Sequence, residues 1–285
     1  MISRPAAVAL AAASNRPAAL ALAAALTRTA VGALRAKAPG GRGRWERENY
    51  AGRTVGLYAG PATATVAALA AARVHPAAGL AVAAAGACGA YDDVAGAHDP
   101  RRGFRAHLSA LRGGEVTSGA VKLFGISAAG LVAGAFLEKR VVDKVLAGVV
   151  IAGAAHFVNL VDVRPGRAAG SVVAFGVPGM LRAGPGGELA AATVGAAAAV
   201  LPADLGERGM LGDTGAHALG AALGVAVVAG NGRAGLLAHA VAVVAAAGYG
   251  DRVSGIARSL PRRRSGAPCD PGRFRHAPGD PTRSE

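Results

Sequence analysis

The sequence predicts an all-α, polytopic integral membrane protein with about nine transmembrane helices. Hydrophobic residues make up 52% of the 285 residues and charged residues only 17%, whereas soluble proteins carry about 25% charged residues. The mean hydropathy is +0.37. The apolar runs are long, rich in alanine, valine and leucine, and lack the alternation of barrel strands, which favours helices as the membrane-spanning elements.

A helix needs about 20 apolar residues to cross the hydrocarbon core, and several apolar runs approach that length. Residues 5–16 form either a further short helix or the beginning of the first one, and the stretch 1–26 also resembles a secretory signal. The predicted segments are 17–34, 54–72, 77–91, 119–137, 145–161, 169–181, 189–202, 214–230 and 234–249.

Positive charge is concentrated between these segments. The formal net charge is +14, and the basic residues gather in loops 35–53 and 92–118 and in the tail after residue 250. The positive-inside rule puts these loops in the cytoplasm and the amino terminus outside. We therefore expect a multi-pass plasma-membrane protein that meets anionic lipid rather than nucleic acid, with a membrane-embedded domain over 1–250. The basic, proline-rich remainder, 251–285, is expected to be a disordered cytoplasmic tail.

Three acidic motifs fall on the cytoplasmic side, each where a helix meets the membrane surface: YDDVAG (91–96), NLVDVRPGRA (159–168) and MLGDTGAHALG (210–220). In the first, Asp92 and Asp93 are like charges that repel unless a cation neutralises them. Magnesium takes one or two carboxylates together with substrate phosphates. The alternative is that the pair forms a solvated turn or a helix cap.

The second motif combines Asn159 and Asp162, which would share one face of a helix, with Arg164 and Arg167. Guanidinium groups bind phosphate through two parallel hydrogen bonds. The alternative is an ordinary helix exit followed by cytoplasmic arginines.

The third motif places Asp213 between a glycine and a threonine at the start of an apolar helix. Gly212 and Gly215 allow another backbone or a ligand to approach closely. Here the alternative is that Asp213 caps its own helix.

In this order and spacing, the three motifs resemble those of the polyprenyl-phosphate N-acetylhexosamine-1-phosphate transferases (glycosyltransferase family 4). YDDVAG is similar to the paired-aspartate motif of that family, NLVD to its Asn-x-x-Asp motif, and MLGDTGAHALG to its Gly-Asp-x-Gly-Ser motif. The segment WERENYAGRTVGLYAGPA (45–62) also resembles the family, and the resemblance covers about residues 40 to 260.

The resemblance implies cytoplasmic catalytic loops and a reaction between two phosphate compounds. Polyprenyl phosphate in the lipid bilayer attacks the β-phosphate of a UDP-amino sugar and releases UMP, in cell-envelope glycan synthesis. Magnesium, with manganese as an alternative, would bridge the diphosphate. Nucleic acid is not an expected partner, and a homodimer is left open.

The expected roles follow from the matched motifs. Asp213 is expected to bind the metal, and Asp92 and Asp93 to bind the metal or orient the lipid phosphate, with a base role for one of them left open. Asn159 and Asp162 would contact the nucleotide or support the metal. Lys122, just inside the segment 119–137, is expected either to face a phosphate or to extend to the membrane surface. His217 is either a partner of Asp213 or a packed helix histidine.

The chain departs from the family pattern in several ways. VRPGRA (163–168) stands where the family often has Asp-Gly repeats, and Ala216 stands where it has serine. A histidine-rich sugar-recognition loop is absent, the loop before the tail is short, and nine helices are predicted where the family often has ten. The departure at 163–168 motivates the main alternative, a non-catalytic relative that acts as a membrane scaffold or lipid-binding protein. An ion transporter is a weaker alternative because its acids would lie within the segments. A CDP-alcohol phosphotransferase would need further spaced aspartates that this sequence lacks.

Overall fold

The structure, a computed structural model, describes residues 4–96 and 104–260 and is nearly all-α. One two-stranded sheet, of β1 (Glu46–Glu48) and β2 (Thr54–Gly56), lies between the first two helices. The helices are α1 (Arg4–Lys37), α2 (Ala59–Ala72), α3 (Pro76–Ala95), α4 (Phe104–Arg112), α5 (Ser118–Leu137), α6 (Val141–Val161), α7 (Arg167–Gly179), α8 (Pro185–Leu205), α9 (Gly212–Gly230), α10 (Arg233–Gly248) and α11 (Gly250–Ser259).

Each predicted apolar segment overlaps a helix, with differences at the ends, and residues 5–16 belong to α1. Five helical segments in the described part of the chain are long and apolar enough to cross a membrane: Asn15–Lys37, Ser118–Leu137, Val141–Val161, Pro185–Leu205 and Gly212–Gly230. The bent pair α10 and α11 makes a sixth if it counts as one crossing. These helices support a multi-pass membrane protein, while the number of nine crossings stays a prediction.

Helix α9 is the centre of the bundle. Its apolar segment is 83% buried inside the protein, whereas that of α1 is 11% buried and leaves most of its surface for lipid. Helices α2, α3, α6 and α8 surround α9. Its glycines allow this packing: a Cβ at Gly224 would lie 2.7 Å from the Cα of Ile151 on α6. Small residues bring membrane helices together because lipid provides no hydrophobic drive for association.

The small sheet lies next to the beginning of α9. The predicted segment 54–72 began too early, because residues 54–56 pair with Glu46–Glu48 in antiparallel register and the helix starts only at Ala59. The rings of Trp45 and Tyr58 stack with centroids 5.1 Å apart. The amide of Met210 donates to the carbonyl of Gly56 at 3.1 Å, which ties the sheet to the approach to α9.

Contacts between loops define two ends of the bundle. At one end, Arg47 donates to the backbone carbonyl of Asp93 at 3.2 Å, and the amide of Gly166 donates to Asp204 at 3.0 Å. These contacts bring together loops that the sequence predicts to be cytoplasmic. At the other end, Arg233 forms a bidentate ion pair with Asp143 at 2.7 and 2.9 Å. The grouping of the loops agrees with the predicted topology, whose orientation in the membrane stays a prediction.

Helix α11 turns sharply away from α10, with an angle of 83° between the two axes. It is fastened to the end of α6 by the hydroxyl of Ser254, which donates to the carbonyl of Leu160 at 2.9 Å. Ile256 on this helix and Tyr249 just before it are exposed, and the guanidinium of Arg252 lies 5.6 Å from the centroid of the Tyr249 ring. The first part of the predicted tail, 251–259, is therefore helical and docked. The expectation of disorder for 261–285 lies outside the described residues.

Candidate active site

The carboxylates of the first and third motifs meet at one end of the bundle. Asp92 and Asp93 lie in the last turn of α3, which continues to Ala95 rather than ending before the pair. Asp213 lies in the first turn of α9. Gly89 makes the approach of the two helices possible, because a Cβ there would overlap the carbonyl oxygen of Asp213. Aspartates 120 positions apart in the sequence are therefore neighbours in the fold.

Lys122 on α5 lies between two of these carboxylates. Its ammonium nitrogen is 2.7 Å from Oδ2 of Asp92 and also contacts Oδ2 of Asp213. Burial alone would raise the pKa of Asp92, but hydrogen bonds with Asp213, Lys122 and Ser118 outweigh it and lower the pKa to about 2. Asp92 is therefore ionised throughout the physiological range.

Asp93 has different partners from Asp92. Its Oδ1 accepts a hydrogen bond from the amide of Asp213 at 2.9 Å, and its Oδ2 accepts from the amide of Thr214 at 3.0 Å and from the hydroxyl of Thr214 at 2.6 Å. The amides at the start of a helix lack partners within the helix, and an anion at this end is favoured by the helix dipole. Asp93 thus caps α9 from another helix.

Gly212 explains why this cap fits. Its φ of +60° is a left-handed conformation, which glycine adopts without a steric penalty. A Cβ at Gly212 would lie 2.9 Å from Oδ2 of Asp93. Gly212 was expected to allow another backbone or a ligand to approach closely. In the structure the group that approaches it is the carboxylate of Asp93.

His217 lies one turn after Asp213, and its Nδ1 is 2.8 Å from the carbonyl oxygen of Asp213. The ring is fully buried and packs edge-on against that of His156, with centroids 5.6 Å apart. It therefore supports the backbone of Asp213 from inside the bundle and is also a packed helix histidine, so the two sequence alternatives are not exclusive.

Residues 162–165 of the second motif line a neighbouring pocket of about 130 Å³. Asn159 is in the last turn of α6, and Asp162 is the residue at the carboxyl end of that helix; their sharing of one helical face stays a prediction. Burial raises the pKa of Asp162 well above its usual range, and the charges of Asp204, Asp213 and Asp93 raise it further. The pocket and the carboxylate site are therefore electrostatically linked.

The two arginines of the second motif contact protein groups. The guanidinium of Arg164 lies 5.6 Å from the centroid of the Tyr50 ring, at the wall of the pocket. Arg167 donates to the carbonyl of Leu260, just after α11, at 2.5 Å. Their expected role in binding phosphate stays a prediction, and Arg167 also positions α11.

Two residues of this region, Thr214 and Asp204, were not predicted from the sequence. Thr214 follows Asp213 directly, but its hydroxyl acts on α3, which no local pattern indicates. Asp204 is 5% exposed and binds the turn before α7. Asp204 stands just after the predicted segment 189–202, as Asp162 stands just after 145–161. This position directly after an apolar segment could have identified Asp204 from the sequence.

The described residues contain no group of three or more histidine, cysteine, aspartate or glutamate side chains arranged to hold a metal. Magnesium, however, commonly takes only one or two protein carboxylates and completes its shell with water and substrate phosphate. Asp92 and Asp213 already hold a cationic group, the ammonium of Lys122, between them. The donor chemistry therefore fits a divalent cation that is bound together with a diphosphate.

Comparison with known proteins leaves the family open. No family model matches this chain, and no curated protein matches it, so the resemblance to the polyprenyl-phosphate sugar-1-phosphate transferases remains a prediction.

Proposed function

We propose that this protein transfers a sugar-1-phosphate from a UDP-amino sugar to polyprenyl phosphate at the cytoplasmic surface of the plasma membrane and releases UMP. The observation that carries the proposal is the meeting of Asp92, Lys122 and Asp213 at the bundle end where the predicted cytoplasmic loops gather. A lipid substrate and a soluble nucleotide require a site at the membrane surface.

The proposed reaction forms one P–O bond and breaks another. An oxygen of the lipid phosphate attacks the β-phosphorus of the UDP-sugar, and the bond from this phosphorus to the bridging oxygen breaks as UMP leaves. Such transfer depends mainly on positioning and on neutralisation of charge. When bound, magnesium would supply neutralisation of the diphosphate, with Asp213 and Asp92 as its protein ligands.

Asp92 and Asp93 have different roles in the proposed reaction. Asp92 is a poor proton acceptor because its pKa is about 2, whereas an efficient base has a pKa near the operating pH. The second pKa of a phosphate monoester is near 6, so the lipid phosphate is already mostly dianionic and needs little help from a base. In this scheme Asp92 binds and orients, while Asp93 holds the beginning of α9 and with it Asp213.

The neighbouring pocket is the proposed place of the nucleotide. Its wall includes Met210, three residues before Asp213, and combines Arg164 and the Tyr50 ring with four acidic residues, Glu48, Asp162, Asp204 and Glu207. An aromatic ring with an arginine beside it suits a base or a sugar face, and the arginine also suits a phosphate.

A membrane scaffold is the second candidate, favoured by one observation. Lys122 contacts both Asp92 and Asp213, so the charges of this site are partly balanced without any metal. A protein that no longer performs chemistry could keep this ion-pair arrangement for stability alone.

Release of UMP separates the two candidates. The detergent-purified chain is incubated with polyprenyl phosphate, magnesium and a panel of UDP-sugars. We expect release with at least one donor and a loss of about 10²-fold in Asp213→Asn and Asp92→Asn. Asp143→Asn, at the other end of the bundle, is the control and should keep the full rate. No UMP with any donor would favour the scaffold, and unchanged rates in both site variants would refute the assignment of the site.

A further inference from the structure

The ammonium group of Lys122 lies between the carboxylates of Asp92 and Asp213, where a bound metal ion would lie. Its Nζ contacts Oδ2 of Asp92 and Oδ2 of Asp213, which come from different helices. The lysine side chain is 15% exposed, and the carboxylates are 21% and 26% exposed. Water therefore screens this ion pair only in part, and the position of the ammonium is strongly determined by the two acids.

The third carboxylate, that of Asp93, is occupied by other partners. Both oxygens of Asp93 accept hydrogen bonds from the beginning of α9. The ammonium of Lys122 is thus the positive group that contacts both Asp92 and Asp213, and together the three side chains carry one net negative charge when all are ionised.

We propose that Lys122 is a built-in competitor of the divalent cation: its ammonium occupies the place between Asp92 and Asp213 in the metal-free protein and leaves that place when the metal binds. The same carboxylate oxygens cannot serve both cations at full strength, because the ammonium and the metal repel each other at this distance. Lysine suits such a movement, since its compact charge is carried on a flexible stem.

The displacement would link the metal to the anionic substrate. Before it, the ammonium is engaged by two carboxylates. Afterwards a divalent cation neutralises both acids, and Nζ is free to donate to a phosphate oxygen. Metal and diphosphate would then strengthen each other's binding by the same factor. This last step rests on the proposed function, whereas the competition between Lys122 and the metal does not.

Binding of Mn²⁺ alone, measured by electron paramagnetic resonance on the full-length chain in detergent, tests the competition. Lys122→Met removes the charge and keeps the length of the side chain. We expect Mn²⁺ to bind this variant about tenfold more tightly than the wild type, and to raise its melting temperature more. Lys139→Met, which changes an exposed lysine in the turn between α5 and α6, should bind Mn²⁺ like the wild type. Equal or weaker binding by Lys122→Met would overturn the proposal.

A measurement on the unmodified protein keeps the proposal testable if Lys122→Met does not fold. Acylation of Lys122 by an amine-specific reagent is followed by mass spectrometry with and without Mn²⁺. We expect Mn²⁺ to increase the acylation rate of Lys122 severalfold relative to Lys139, because the amine is released from its two acids. A rate that stays the same or falls would contradict the displacement. Neither experiment requires UMP release, so a failure of the proposed function and a failure of this inference give different results.

Discussion

Replacing Asp93 with alanine tests whether this carboxylate holds α9 or serves only a metal. The change leaves the amides of Asp213 and Thr214 and the hydroxyl of Thr214 without the acceptor that now lies 2.6 to 3.0 Å away. Loss of a helix cap costs about 0.5–2 kcal/mol, and a hydrogen bond to a charged group contributes about 1.5–3 kcal/mol. Relief of repulsion with the neighbouring acids offsets part of this loss.

We therefore expect Asp93→Ala to lower the free energy of unfolding of the metal-free protein by about 3 kcal/mol. For a chain of this size, 1 kcal/mol corresponds to about 2–4 °C, so the melting temperature in detergent should fall by roughly 6–12 °C. Thermal unfolding in the presence of a chelator measures this change in melting temperature.

Thr214→Val is the matched partner, because it removes only the hydroxyl that donates to Asp93 and should cost about 1 kcal/mol. The double variant should be more stable than the sum of the two single losses predicts, since one shared hydrogen bond cannot be lost twice. A melting temperature of Asp93→Ala within about 1 °C of the wild type, or strictly additive losses, would refute the cap.

Two further predictions concern the site and its packing. Because the pKa of Asp162 is raised, its ionisation costs stability above the unfolded pKa of about 4 and increasingly so up to the folded pKa. Asp162→Asn should therefore raise the melting temperature at pH 8, with a gain that shrinks as the pH falls towards 4; a lower melting temperature at pH 8 would show that the charge is instead stabilised. Gly89→Ala should lower the melting temperature and weaken Mn²⁺ binding, because its Cβ would overlap the carbonyl of Asp213. Gly170→Ala, where a Cβ meets nothing within 4 Å, is the control, and equal behaviour of the two variants would argue against close packing of α3 on α9.

The helices could be predicted well because continuous apolar runs admit few other structures in lipid. The ends of the helices were predicted less accurately. The predicted segment 77–91 ends before Asp92 and Asp93, but helix α3 continues through both residues. Two charges are accepted there because contacts with α5 and α9 compensate them. The strand residues 54–56 looked like part of an apolar run, and only their pairing with 46–48 reveals the sheet.

The candidate site could be predicted as a set of residues but not as an arrangement. Repulsion within the Asp-Asp pair predicted a divalent cation between them, which stays a prediction, and the structure brings Lys122 to Asp92. Sequence could not distinguish the two aspartates, because successive residues on a helix point in different directions and only the fold determines what each one meets. Asp93 meets the amides of α9, and the alternative of a helix cap was correct for a helix far away in the sequence.

The sharp bend between α10 and α11 has a consequence for how deeply the protein can sit. If α10 alone crosses the bilayer close to its normal, an angle of 83° directs α11 along the membrane plane, and the exposed side chains of Tyr249 and Ile256 would lie at that level. The hydrogen bond from Ser254 to the end of α6 would then hold α11 at a fixed depth relative to that helix. Because Leu160 belongs to the second motif, the same hydrogen bond fixes the position of α11 relative to that motif.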